Sequence, residues 1–337
     1  MSASEEHEYF SDGMTEKIIN ALAGIPDLRV TSRTSSFYFK DKELPVQAIG
    51  EELDVATIVE DSVRLGGSTM RITIQLIDVS EDVHLWSGTF DRPADEVFSV
   101  QDEISLLVAD KVREHLGHFE FQDQLVQRPA ASLDAYQSHL RARHLMLKMT
   151  PDSIMEALNI LEEVLTDSPD FVEGNLSAHL AWLLRGTLGF VPAMEAFQQG
   201  AGFLQKAIAI DPEHPECQLN LTYDAFIQRW DFDAAFQHLA LVRERRPSVE
   251  YHQTMASILV AEGKFEAASN YIGKALEMDP FSDITNHLHG YIAFCRRDLE
   301  QAMKSFRKSL ELKPGSNVSL LYVVQTLILQ NKPEEAL

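Results

Sequence analysis

The sequence predicts two architectures in series: an α+β (α/β-type) sandwich domain over residues 1–118 and an all-α superhelix of helix pairs over 133–337, joined by a linker at 119–132. Three observations carry this. Between about residues 56 and 92 apolar residues alternate with period two, flanked by segments of helical spacing. After "HFEFQDQLVQRPAAS" every segment reads as helix. Within that half, a small-x3-large-x2-small pattern ending on a proline recurs every 33 or 34 residues.

The elements of the first half follow in order. "SDGMTEKIINALAGI" places Asp12 as an N-cap, Met14, Ile18, Ile19 and Leu22 on one face, and Gly24 as a stop before Pro26. "LRVTSRTSSFYF" reads as a β-rich run, and "VQAIGEELDV" behind Pro45 as a short helix. "ATIVEDSVRL" and "MRITIQLIDV" flank "GGST", where Gly66 and Gly67 supply the positive φ of a tight hairpin. "VHLWSGTFDR" is a third strand. A last helix, "EVFSVQDEISLLVADKVREHL", carries Val100, Ile104, Leu107, Val108 and Val112 on one face.

In the second half, aligning the units on their prolines brings Ala268 onto Ala302, Ile272 onto Phe306 and Pro280 onto Pro314, an offset of 34. Ala235 and Leu239 before Pro247 fit at an offset of 33, and further back Ala157 and Leu161 before Pro169 fit the same pattern. Leu204 and Ala207 before Pro212 fit too, with Gly200 at the small position. Gly290 falls where two helices of a pair cross closely. The 43 residues from Pro169 to Pro212 predict an insertion around "RGTLGFVPAM". Ala336 lies 34 residues after Ala302, so "NKPEEAL" reads as the first turn of another second helix, with the chain cut inside a repeat.

Composition narrows the chemistry. With 45% hydrophobic residues, 337 residues hold real cores. The 52 acidic and 29 basic residues give a net charge of −23, shared by both halves, and a field of that sign repels phosphate backbones and anionic lipid. Direct nucleic-acid binding is disfavoured. Cys217 and Cys295 form neither a disulfide framework nor a metal-ligand spacing. No run approaches a membrane-spanning length, and the acidic "MSASEEHEYF" is not a signal peptide.

Each candidate for chemistry has a structural reading that outweighs it. Ser11, Asp12 and Thr15 of "FSDGMTE" could hold a ligand, but a helix cap explains the same residues and is favoured. "LGGST" lacks the Lys and following helix of a phosphate loop. His287 and His289 point apart on a helix, so no metal ligation is expected. "RERR" before Pro247 complements a helix C-terminus. Trp86 and Phe37–Phe39 read as core aromatics. No catalytic nucleophile motif or kinase signature is present. The chain is expected to be noncatalytic and to need no cofactor.

The 34-residue helix-turn-helix period resembles the tetratricopeptide repeat, although no unit carries that family's Trp early in its first helix. The blocks "EYFSDGMTEKIINAL", "LRVTSRTSSF", "IGEELDVATIVEDSVR", "RITIQLIDV", "HLWSGTFDR" and "VFSVQDEIS", over residues 5–117, resemble the TolB amino-terminal-like domain, found in bacteria joined to such repeats. That family has a first strand before "EYFSDG", absent here, which predicts an exposed sheet edge and self-association. The resemblance implies a sensory and protein-interaction part of a bacterial signalling or transcription-regulatory protein, with a cyclase, kinase or winged-helix domain upstream. It leaves the compartment open, cytoplasmic or periplasmic. A second reading makes the α/β domain a ligand-binding or enzymatic unit that the repeats support. Carried over from the repeat family, the groove positions of the first helices are Asn220 and Asp224, Gln253 and Ser257, His287 and Tyr291, and Gln325, with Tyr291 expected as an exposed aromatic anchor. The implied partner is a protein or peptide, a basic one given the acidic field.

Overall fold

A computed structural model describes residues 5–22, 28–40, 42–66, 69–93, 97–116, 132–245 and 248–335. In chain order its elements are α1 (Glu5–Leu22), α2 (Arg33–Tyr38), α3 (Val46–Leu53), β1 (Thr57–Gly66), β2 (Thr69–Asp78), β3 (Val83–Pro93) and α4 (Val97–Leu116). Then come α5 (Leu133–Leu147), α6 (Pro151–Asp167), α7 (Val172–Thr187), α8 (Ala193–Ile210) and α9 (Pro215–Tyr223), which runs into a π-helical turn at Asp224–Gln228. The chain continues through α10 (Phe232–Arg245), α11 (Val249–Ala261), α12 (Phe265–Met278), α13 (Asp283–Cys295), α14 (Leu299–Leu312) and α15 (Asn317–Leu329), with a final 3-10 turn at Pro333–Glu335. Two compact units result, one of residues 1–30 and 45–217, the other of residues 31–44 and 218–337.

In the first unit a small antiparallel sheet of order β1-β2-β3 presents one face to two helices. Strand β2 alternates strictly at its start: Met70, Ile72, Ile74 and Leu76 are buried, while Arg71, Thr73 and Gln75 turn outward. The buried row packs on Met14, Ile18 and Leu22 of α1 and on Val100, Ile104, Val108 and Val112 of α4, as the spacing predicts. Outside, Arg71 and Asp91 form a two-bonded ion pair across β2 and β3. A bulge at Leu76/Ile77 breaks the alternation and buries two consecutive residues. The hairpin register pairs Gly66 with Thr69, and the Gly67–Ser68 turn lies outside the described residues, as do the stop at Gly24, most of the predicted linker, and Ala336.

Two local expectations are corrected. Asp12 is no N-cap, because α1 begins seven residues earlier and carries Asp12, mostly buried, in its interior. The following Gly13 leaves space for its neighbour: a Cβ would meet the Leu140 side chain of α5 at 2.7 Å. The run "LRVTSRTSSFYF" forms no strand. Ser32 caps a helix by accepting the Ser35 N–H at 3.2 Å, and Ser36 Oγ returns a bond to the Ser32 carbonyl, so local hydroxyls outcompete the β-propensity of the aromatics.

The helix pairs confirm the repeat alignment residue by residue. Ala157, Ala235, Ala268 and Ala302 are fully buried, as are Leu161, Leu239, Ile272 and Phe306 four residues later, and Gly200 is buried at the matching place in α8. Small residues let two helix axes approach, and the large one fills the seam. The insertion between Pro169 and Pro212 is spread over the pair: α7 and α8 have 16 and 18 residues, where α11 and α12 have 13 and 14.

Candidate protein-interaction face on the first helices

Within the second unit α9, α11, α13 and α15 are the first helices of successive pairs. Their candidate positions fall at spacings of three and four on one side of each helix, as neighbours on a helix surface do. On α9 and its π-turn the row is Asn220, Asp224, Ile227; on α13 it is Ile284, His287, Tyr291; on α15 it is Val318, Leu321, Gln325, Ile328. On α11 it is Gln253 and Ser257. The apolar members Ile227, Ile284, Val318, Leu321 and Ile328 are each more than half exposed. Exposed apolar side chains grouped among polar ones are a mark of interaction sites.

The polar members are less free than the sequence suggests. Gln253 Nε2 donates to Thr285 Oγ1 at 2.7 Å, joining α11 to α13. His287 Nδ1 lies 3.0 Å from Ser319 Oγ, joining α13 to α15. Thr254 Oγ1 is bonded to Tyr223 Oη at 3.0 Å, joining α9 to α11. Successive first helices are thus linked by side-chain hydrogen bonds at separations of 31 or 32 residues. The first unit repeats the device between α5 and α7, where His139 Nε2 and Ser177 Oγ are 2.8 Å apart. Ser257 Oγ bonds back to its own helix at the Gln253 carbonyl, and Asp224 pairs with Arg229 at 3.0 Å.

Tyr291 is not the exposed anchor expected. It is half-buried, its ring edge-on to Tyr322 at 5.4 Å, in a cluster with His287, Phe294 and Phe306. Burial pushes its phenol up to about 12, with the Cys295 thiol adding to the rise. Burial also holds His287 below the ordinary imidazole value, against the pull of Asp283. Sequence reasoning passed over the exposed aromatics beside this row, Tyr223 and Trp230. Trp230 follows the π-turn with φ 54°, a left-handed conformation seldom adopted by a bulky residue, and stands edge-on to Phe226 and Phe232. The signal was the aromatic run "YDAFIQRWDF".

Among the described residues no group of three or more His, Cys, Asp or Glu could hold a metal ion, and no helix is long and apolar enough to cross a membrane.

Comparison with known proteins gives the repeats a family. The tetratricopeptide repeat matches residues 249–282 and 285–316, which are the α11–α12 and α13–α14 pairs. Over 221 residues, 64% of this chain, the sequence is 32% identical to a Rhizobium meliloti (strain 1021) protein named "Putative adenylate cyclase 3", of whose length the chain spans 37%. Similar solved structures include the type IV pilus biogenesis factor PilW, at TM-score 0.44 and 15% identity over 61% of this chain and 90% of that one. Human IFIT1, solved as a dimer with PPP-AAAA, gives 0.49 and 16% over 70% and 54%. The thermophilic TPR protein TTC0263 of Thermus thermophilus gives 0.44 and 16% over 58% and 99%.

Proposed function

We propose that this chain is the noncatalytic sensory and protein-interaction part of a bacterial signalling or transcription-regulatory protein, and that it holds its partner on the first-helix face of the second unit. Tetratricopeptide repeats imply protein–protein interaction, and the relative named as an adenylate cyclase favours signalling as the setting. Residues 1–118 are assigned, on the blocks quoted above, to a TolB amino-terminal-like adaptor, with the repeats as a separate domain from 133 onward. Cyclase chemistry of a longer protein lies, on this reading, outside these residues.

The observation that carries the proposal is the row of exposed Ile227, Ile284, Val318, Leu321 and Ile328 interleaved with Asn220, Asp224, Gln253, Ser257, His287, Tyr291 and Gln325. Apolar anchors set among hydrogen-bonding groups are how interfaces combine burial with orientation. A net charge of −23 favours a basic partner, whose binding weakens as salt rises. Strands β1 and β3 are the outer strands of the described sheet, and self-association at such an edge belongs to the same reading.

The test is affinity capture from a cell extract with the full chain against Ile284→Glu, Leu321→Glu, Asn220→Ala, Gln253→Ala and Tyr291→Ala. Loss of the same captured protein from the two Glu variants, with helicity unchanged, supports the assignment. Equal capture by all five variants overturns it.

A further inference from the structure

A segment from early in the chain, residues 31–44, clusters with the second unit. Residues 31–44 pack in this unit against the turn between α12 and α13. The Ser32 N–H donates to the Met278 carbonyl at 2.9 Å. Ser35 Oγ donates to Asp279 Oδ1 at 2.6 Å and accepts the Phe281 N–H at 3.0 Å. Tyr38 stacks on Phe281, centroids 4.3 Å apart and planes 14° apart, and Phe39 meets the same ring edge-on at 5.2 Å. Lys308 reaches the Phe281 ring from α14, and Lys42 covers Tyr38 at 3.0 Å.

The recognising surface is built rather than incidental. Asp279 is 4% exposed, and its carboxylate meets hydroxyls of Ser35, Ser32 and Thr34. A buried carboxylate without donors is costly, so this turn wants hydroxyls in front of it. The occupant, by contrast, is weakly autonomous. Helix α2 has six residues, far below the length at which an isolated helix holds itself, and only Ser35 and Phe39 of residues 31–40 are buried. Burial raises the Asp279 pKa, and Glu250 on α11 adds to the rise, more than the hydroxyls lower it. Departure of the segment returns that carboxylate to water, and its hydration offsets part of the cost of leaving.

We propose that the α12–α13 turn is a peptide-recognition site, reversibly occupied in cis by residues 31–44. It accepts from a partner a segment of the same chemistry: a hydroxyl bonded to Asp279, followed three and four residues later by an aromatic pair on Phe281. The inference stands whether or not the first-helix face binds.

The probe is a fluorescent peptide of residues 29–42, titrated by anisotropy onto the full chain. Three proteins are compared: the unaltered chain, Ser35→Ala with Tyr38→Ala to loosen the resident segment, and that double variant with Asp279→Asn added. The expected result is binding to the double variant at least tenfold tighter than to the unaltered chain, and its loss on adding Asp279→Asn. Binding to none of the three, or undiminished binding to the Asp279→Asn protein, overturns the proposal. Should the double variant fail to fold, hydrogen exchange on the unaltered chain decides. The Phe281 amide is bonded to Ser35 Oγ, so it should exchange at least tenfold faster than the amides inside α12. Exchange at the α12 rate would make the segment an integral part of the core and end the proposal.

Discussion

Gly290 of α13 faces the ring of Phe306 in α14 so closely that a Cβ on it would stand 2.7 Å from two ring carbons. Phe306 is fully buried and stacked on Tyr322, so the ring has little room to yield. Gly290→Ala should therefore lower stability: overpacking costs about 1–3 kcal/mol, against about 1 kcal/mol gained in helix propensity. Thermal unfolding checks this, and Phe306→Leu in the same chain should relieve the clash, giving favourable coupling. A higher melting temperature for Gly290→Ala alone would show that the seam is looser than described.

His139 supplies an acid-sensitive element. Burial, reinforced by nearby Arg143, lowers its pKa to about 3. The unfolded chain then binds a proton near the ordinary value of about 6.5 that the folded chain refuses, so this contribution is intact above that pH and is lost as pH falls towards 3. The slope is at most about 1.4 kcal/mol per pH unit. Denaturant melts of His139→Gln against wild type between neutral pH and pH 4 should show a shallower acid decline in the variant. Parallel curves would refute the assignment.

The bond between Gln253 and Thr285 should contribute about 1 kcal/mol. Gln253→Ala, Thr285→Val and the double variant form a cycle whose coupling measures it. Near-zero coupling would mean that water replaces the link without loss.

The two thiols should differ in reactivity. Burial, with Asp211 and Glu216 nearby, pushes Cys217 up to about 12, whereas Cys295 is half-buried and the rise from its burial is opposed by the Tyr291 hydroxyl and Arg297. Iodoacetamide at pH 8 should modify Cys295 first and reach Cys217 only with denaturant, as peptide mapping by mass would show. Equal rates would contradict the burial.

What was legible in the sequence was whatever depends on spacing alone. Ala268, Ile272 and Ala275 recur at the repeat length because one seam geometry recurs, and β2 shows its buried row because a strand has only two faces. What was not legible depends on residues far along the chain. Phe37–Phe39 have strand propensity, but Ser32 is a ready helix cap and Phe281, some 240 residues later, receives the aromatics. Asp12 looks like a helix cap until the structure shows α1 running on from Glu5, with Leu140 of α5 in the space above Gly13. Tyr291 reads as an exposed groove aromatic until Tyr322 of the next pair covers its edge. The π-turn at Asp224–Gln228, which brings Trp230 out, has no periodic signature at all.

The hydrogen bonds between first helices have a mechanical meaning. Inside a pair, α13 and α14 interlock through a glycine, an alanine and a buried ring, and their contact is broader than that of α12 with α13. Between pairs, the first helices share a polar bond that water can replace for about 1 kcal/mol, beside an apolar contact narrower than the one inside a pair. The second unit is then a row of stiff leaves on compliant hinges. Tension along the row would fan neighbouring leaves apart before any leaf came undone, and on release each hinge would close again at the same pin.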